Sequence, residues 1–174
     1  EDEYILGPVR QYLKATPIIV SVQVWFSPNN SNLASFNSQL FHFDREDYKQ
    51  IKCFVPIHTI DEQCGPMTII PKSATARFVN EMWKKGKIPS TKSRYDDSIV
   101  EKIIPNEEVT LCGPPGAVLM ADTTQCLHFG SRTATRPKYH LSFQFLTPYS
   151  YKLDKVRDKI SKDLANSPRF ASTY

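Results

Sequence analysis

From Lys138 to Phe145 the chain alternates strictly, with Tyr139, Leu141, Phe143 and Phe145 on one side of an extended backbone and Lys138, His140, Ser142 and Gln144 on the other. A period of two over this length predicts a half-buried strand, which we extend over Lys138–Thr147. Shorter apolar or alternating runs predict further strands at Ile18–Ser27, Leu40–Asp44, Ile51–Ile57, Met67–Pro71, Val109–Cys112 and Ala117–Ala121. Helical spacing is sparse. It is expected at Ile5–Lys14, at Arg77–Lys85, where Phe78, Met82 and Trp83 form a narrow apolar stripe, and in the charged stretch Asp154–Leu164. The polar segment Gly86–Asn106, with Pro89 and Pro105, reads as a long surface excursion, either a lid or a plain connection. Many short strands joined by Gly and Pro turns predict a mainly β sandwich or jelly roll rather than an alternating α/β fold.

A chain of 174 residues with 40% hydrophobic and 11% aromatic content can bury one well-formed core, and no shift in composition marks a second. We therefore read 1–174 as a single domain with its core at about 17–148 and a C-terminal helix at about 154–164. The 22 basic and 18 acidic residues leave a charge of +4, too mild for a nucleic-acid surface unless clustered. Lys84-Lys85-Gly86-Lys87 is the one tight basic run, and a solvated helix end explains it. Cys53, Cys64, Cys112 and Cys126 show no Cys-x-x-Cys pair, which favours free thiols and a cytoplasmic location. No apolar run is long enough to span a membrane.

Chemistry concentrates at His42-Phe43-Asp44 and His128. Two imidazoles and a carboxylate form the facial set that holds iron(II) while leaving coordination positions open for a co-substrate and oxygen. On a strand, His42 and Asp44 would project side by side with Phe43 turned away. The plain alternative is that the histidines are hydrogen-bonded strand residues and that Asp44 caps a turn. Asp122 suits either a supporting role behind a histidine or an ordinary turn. Cys126 would share a strand face with His128, but a buried structural thiol is the simpler reading. His58 and His140 read as satisfied or surface histidines rather than ligands.

In order along the chain, Gln23-Val24-Trp25-Phe26-Ser27-Pro28, His42-Phe43-Asp44, the stretch from Phe54 through Gly65 to Pro71-Lys72-Ser73, Gly116–Asp122 and His128-Phe129-Gly130-Ser131 resemble the phytanoyl-CoA dioxygenase-like branch of the iron(II)/2-oxoglutarate oxygenases. The resemblance runs from about Ile18 to Pro148. It implies a double-stranded β-helix, the cupin-like jelly roll, with a few flanking helices. It also implies iron(II) on His42, Asp44 and His128, with 2-oxoglutarate as co-substrate. Oxygen would then hydroxylate an unactivated C–H bond of a small-molecule or lipid-like substrate, releasing succinate and carbon dioxide. Gln23, Gln39, Phe54 and Ser131 would border the co-substrate.

The family's distal carboxylate is held by an arginine about ten residues after the second histidine. Lys138 stands there in this chain, with Arg136 as the neighbouring substitute, and lysine lacks the planar fork of arginine. Pro71-Lys72-Ser73-Ala74 likewise departs from the family's Pro-Gly-Ser-His. Relatives carry more helical sequence ahead of the metal loop, so an N-terminal region of a longer protein is expected to be missing. A metal-binding cupin-like module without turnover, or an enzyme using the same triad for another reaction, are the alternatives.

Overall fold

The computed structural model describes residues 3–29, 37–87, 94–132, 134–154 and 158. Helix α1 (Glu3–Leu13) leads into β1 (Ile18–Ser27), β2 (Phe41–His42), β3 (Gln50–Pro56) and β4 (Thr68–Ile69). Helix α2 (Lys72–Lys84), β5 (Arg94–Tyr95) and helix α3 (Asp97–Ile103) follow, then β6 (Val109–Thr110), β7 (Leu119–Ala121), β8 (His128–Phe129) and β9 (Lys138–Leu146). The strands form two antiparallel sheets, one ordered β1-β9-β3-β7 and the other β5-β2-β8-β4-β6.

Strand alternation decides what each sheet shows to each side. On β3, Ile51 and Cys53 face outward and pack with Phe145 of β9 against Val9 and Leu13 of α1. Gln50, Lys52 and Phe54 take the opposite face by parity. In the second sheet, Phe41 and Phe129 pack outward with Tyr95 against Ala74, Phe78 and Met82 of α2 and Val100 and Ile104 of the α3 segment. Their neighbours His42 and His128 turn inward. The order is thus helix, sheet, cavity, sheet, helices, with apolar cores outside and polar side chains between the sheets.

The alternating strands lie where expected, within two residues of the predicted ends for β1, β3, β7 and β9. Helix α2 begins five residues earlier than its stripe indicated, directly after Pro71, which holds the N-cap position with an extended backbone. Ala74, Phe78 and Met82, spaced by four, form its buried face, while Trp83 is 60% exposed. The reading of Gly86–Asn106 as a surface excursion is corrected for the part the structure describes. Tyr95 is fully buried, Val100 and Ile104 are nearly so, and Ile99 and Ile103 pack against the same cluster. A seven-residue helix offers barely two turns of pattern, too little for periodicity to stand out among its polar neighbours. Residues 88–93 lie outside the described residues. Leu153 and Asp154 are helical, and beyond them only residue 158 of the expected C-terminal helix is described.

Thr75 ties α2 to the strand that carries His128. Its hydroxyl donates to the carbonyl of Ile70 at 3.0 Å and accepts the N–H of Leu127 at 3.1 Å, all within the buried core. Thr75→Val keeps the shape but strands the Leu127 donor, so we expect a loss of about 1–3 kcal/mol by chemical denaturation. A change below about 0.5 kcal/mol would show that the bond carries no net stability.

No helix among the described residues is long and apolar enough to cross a membrane.

Candidate metal centre and its cavity

His42 and His128 are direct partners across the β2–β8 pair, and their rings lie 4.2 Å apart between centroids. Strand β2 ends at His42, so Asp44 is not placed by strand alternation as the sequence suggested. Its backbone N–H instead donates to the carbonyl of Thr123 at 3.0 Å, which draws the loop across to the turn ahead of β8. One donor atom from each of His42, Asp44 and His128 lies within 4.8 Å of the other two.

Each imidazole is held by the same local device. Nδ1 of His42 lies 2.8 Å from the carbonyl of Leu40, and Nδ1 of His128 lies 3.0 Å from that of Cys126. A carbonyl only accepts, so Nδ1 carries the proton and the Nε2 lone pair is left free. Those Nε2 atoms face Asp44, 4.0 Å from Oδ1 for His42 and 3.8 Å from Oδ2 for His128. Burial pushes both imidazoles toward the neutral form against the pull of the Asp44 carboxylate, His128 down to about 4. Burial also raises Asp44, but the Lys52 ammonium and His128 outweigh it, leaving the carboxyl below its ordinary range. Two neutral nitrogen donors and one carboxylate anion fit a divalent transition metal.

A polar network behind Asp44 was not legible in advance. Lys52 Nζ lies 2.6 Å from Asp44 Oδ2. The amide of Gln50 donates to the same oxygen at 3.3 Å and to the Thr123 hydroxyl at 2.8 Å, and Gln144 donates to Gln50 at 2.9 Å. The available signal was the polar parity of Gln50 and Lys52 in an otherwise apolar strand. Asp122 serves the turn: it accepts from the N–H groups of Thr124 and Gln125 and from the Tyr12 hydroxyl at 2.5 Å, fixing α1 to the approach to β8.

The triad opens on a cavity of about 590 Å³ between the sheets. Gln23, Gln39, Phe54, Ser131 and Lys138 line it, as does His140, whose Nδ1 is buried without a hydrogen-bond partner. Lys138 is 4% exposed and donates to the carbonyl of Gly65 at 2.7 Å, and burial lowers its ammonium to about 8. Arg136 is not among the lining residues. It is exposed and pairs with Asp61, beside a smaller depression formed with His58, Cys64, Pro137 and Tyr139. His58 accepts the N–H of Tyr139 at 3.1 Å and lies outside the triad cavity. Cys126 is buried and faces neither the triad nor the cavity, and burial lifts its thiol to about 11. Lys84 of the basic run is exposed and pairs with Glu81.

No family model matches the chain, and no curated protein does. Solved structures do. HygX from Streptomyces hygroscopicus, with nickel and 2-oxoglutarate bound, superposes with a TM-score of 0.56 at 15% identity, over 85% of this chain and 63% of that one. EctD from S. alaskensis with bound Fe gives 0.58 at 13% identity, over 84% and 50%. The nickel complex of the non-haem monooxygenase ThoJ gives 0.53 at 14% identity, over 83% and 50%. At such identities the likeness establishes a shared fold. The chain spans less than two thirds of the length of each of these three proteins.

Proposed function

We propose that this chain is the core of a non-haem iron(II)- and 2-oxoglutarate-dependent dioxygenase of the phytanoyl-CoA dioxygenase-like branch, built on a double-stranded β-helix. Its proposed reaction is hydroxylation of an unactivated C–H bond in a small-molecule or lipid-like substrate, with release of succinate and carbon dioxide. The observation that carries the proposal is the convergence of two Nε2 lone pairs and the Asp44 carboxylate, within 4.8 Å, at the wall of a cavity large enough for two small ligands. The nickel and 2-oxoglutarate bound to HygX and the Fe bound to EctD support it by analogy of fold. The buried thiols of Cys53, Cys64 and Cys126 support a cytoplasmic setting.

His42, Asp44 and His128 would hold the iron, and their main-chain and side-chain partners fix the ligand atoms before metal arrives. When bound, iron(II) and the keto acid would activate dioxygen, the oxidant, with two electrons drawn from the keto acid as it becomes succinate and carbon dioxide and two from the C–H bond. Lys138 would take the far carboxylate of the co-substrate. Its near-complete burial makes an unpaired ammonium costly, so a carboxylate beside it is strongly favoured. Ser131, Gln23 and Gln39 would add hydrogen bonds, and Phe54 an apolar wall, which keeps bulk water from the reacting carbon. Lys52 on Asp44 gives some support to a second reading, a cupin-like metal-binding module without turnover, because the ligand carboxylate is already engaged.

An anaerobic titration of metal-free protein with iron(II) and 2-oxoglutarate separates the two. The oxygenase reading expects the visible charge-transfer band of the chelate. Lys138→Met is expected to weaken 2-oxoglutarate binding about 10-fold or more, the value of a charged hydrogen bond, while Arg136→Met changes it less than about twofold. Folded, iron-loaded protein that forms no band excludes the co-substrate and selects the module.

A further inference from the structure

The cavity has more positive charge than the proposed chemistry uses. Among its lining residues Asp44 is the one carboxylate, against the ammonium groups of Lys52 and Lys138. The two lysines are well separated along the sheet. Lys52 pairs in register with Gln144 of β9, six residues from Lys138, which is about 20 Å along an extended strand. Lys138 faces the far end, whereas Lys52 stands beside the triad, 2.6 Å from Asp44 Oδ2, with its side chain 25% exposed toward the cavity.

In the metal-free protein Asp44 and Lys52 neutralise each other. A divalent ion on the triad changes that balance, because one carboxylate is then shared between the ion and Lys52. The co-substrate brings two negative charges, one at its chelating end and one for Lys138. Lys52 is left undercompensated in a partly buried place, a costly condition that an incoming anion relieves. The amides of Gln50 and Gln144 are already committed to Asp44, Thr123 and each other, and do not supply that charge.

We infer that Lys52 is an anion subsite next to the metal, and that the substrate hydroxylated here carries a carboxylate or phosphate group close to the C–H bond attacked. This rests on the oxygenase reading and narrows it to acidic small molecules, with Lys52 determining specificity. A lysine that merely holds Asp44 in place would give a different result in the following experiment.

Protein loaded anaerobically with iron(II) and 2-oxoglutarate is titrated with acetate, with methyl phosphate and, as a size-matched cation, with tetramethylammonium, following the charge-transfer band. We expect saturable shifts with the anions and none with the cation, the stronger anion telling carboxylate from phosphate. Lys52→Met, compared at iron(II) and 2-oxoglutarate concentrations that saturate its own band, should bind the preferred anion about tenfold or more weakly, with Lys52→Arg restoring binding. Equal anion affinity in the wild type and Lys52→Met, or equal response to anion and cation in the wild type, overturns the inference. Loss of the band in Lys52→Met alone also overturns it and makes Lys52 part of the metal or co-substrate site. A wild type that forms no band removes the oxygenase reading itself, and the inference with it.

Discussion

His128→Ala is expected to abolish the iron(II) and 2-oxoglutarate charge-transfer band and, in the same protein, to reduce acid sensitivity. The first effect follows from the donor count: with one imidazole gone, His42 and Asp44 are two of the three proposed ligands. The metal affinity lost should exceed the 10–100-fold typical of removing a group that only supports a ligand. The second follows from burial. His128 is 4% exposed and its imidazole is lowered from 6.5 to about 4. Between those values the unfolded chain binds a proton that the folded chain refuses, so stability is full above about pH 6.5 and falls as the pH drops toward 4. For metal-free protein this residue alone contributes a loss of about 2 kcal/mol from pH 7 to pH 5. His42 and His140 are lowered in the same direction, so the wild type should fall further still. Chemical denaturation of both metal-free proteins at the two pH values checks the claim. Equal losses would mean that His128 is protonated in the fold and that its Nε2 is no free donor.

The second large effect concerns stability rather than the metal. Phe78→Ala should cost about 3–5 kcal/mol and lower the melting temperature by roughly 10 °C. Phe78 is fully buried, packs edge-on against Tyr95 at 5.1 Å, and belongs to the cluster that joins α2, α3 and the outer face of the histidine-bearing sheet. Truncation opens a void among ring systems anchored in three separate elements, which leaves little freedom to collapse. Trp83→Ala, five residues on and 60% exposed, serves as the control and should lie within about 0.5 kcal/mol of wild type. A melting temperature unchanged in Phe78→Ala would show that this cluster does not hold the second sheet together.

What could be read from the chain depended on how much of each element's environment was local. Strands β1 and β9 were legible because one side of each faces a cavity, and the alternation from Val20 to Val24 and from Lys138 to Phe145 records it. His42 and His128 stood out because a His-x-Asp pair and a histidine at the end of an apolar strand are local patterns, but the route to Asp44 was not local: its place is fixed by Thr123, far along the sequence. Strand parity left Arg136 and Lys138 equivalent. The structure separates them because β9 begins only at Lys138. Before it, the N–H groups of Thr135 and Arg136 both turn to the carbonyl of Gln63, and the guanidinium swings outward to Asp61. Lys52 was passed over for the opposite reason. It looks like an ordinary polar residue on a strand until the loop carrying Asp44 is brought over it, and that contact exists only in three dimensions.

The i−2 carbonyl contacts of His42 and His128 have a bearing on how such a centre endures sequence change. Which nitrogen of each ring faces Asp44 is decided by main-chain oxygens, at Leu40 and Cys126, two residues from each histidine. No side chain supplies that instruction, so no exchange of side chains at those two positions can erase it while the backbone keeps its path. The tautomers are inherited with the strand itself, and the side chains that line the cavity are free to change while the two nitrogens that face Asp44 stay as they are.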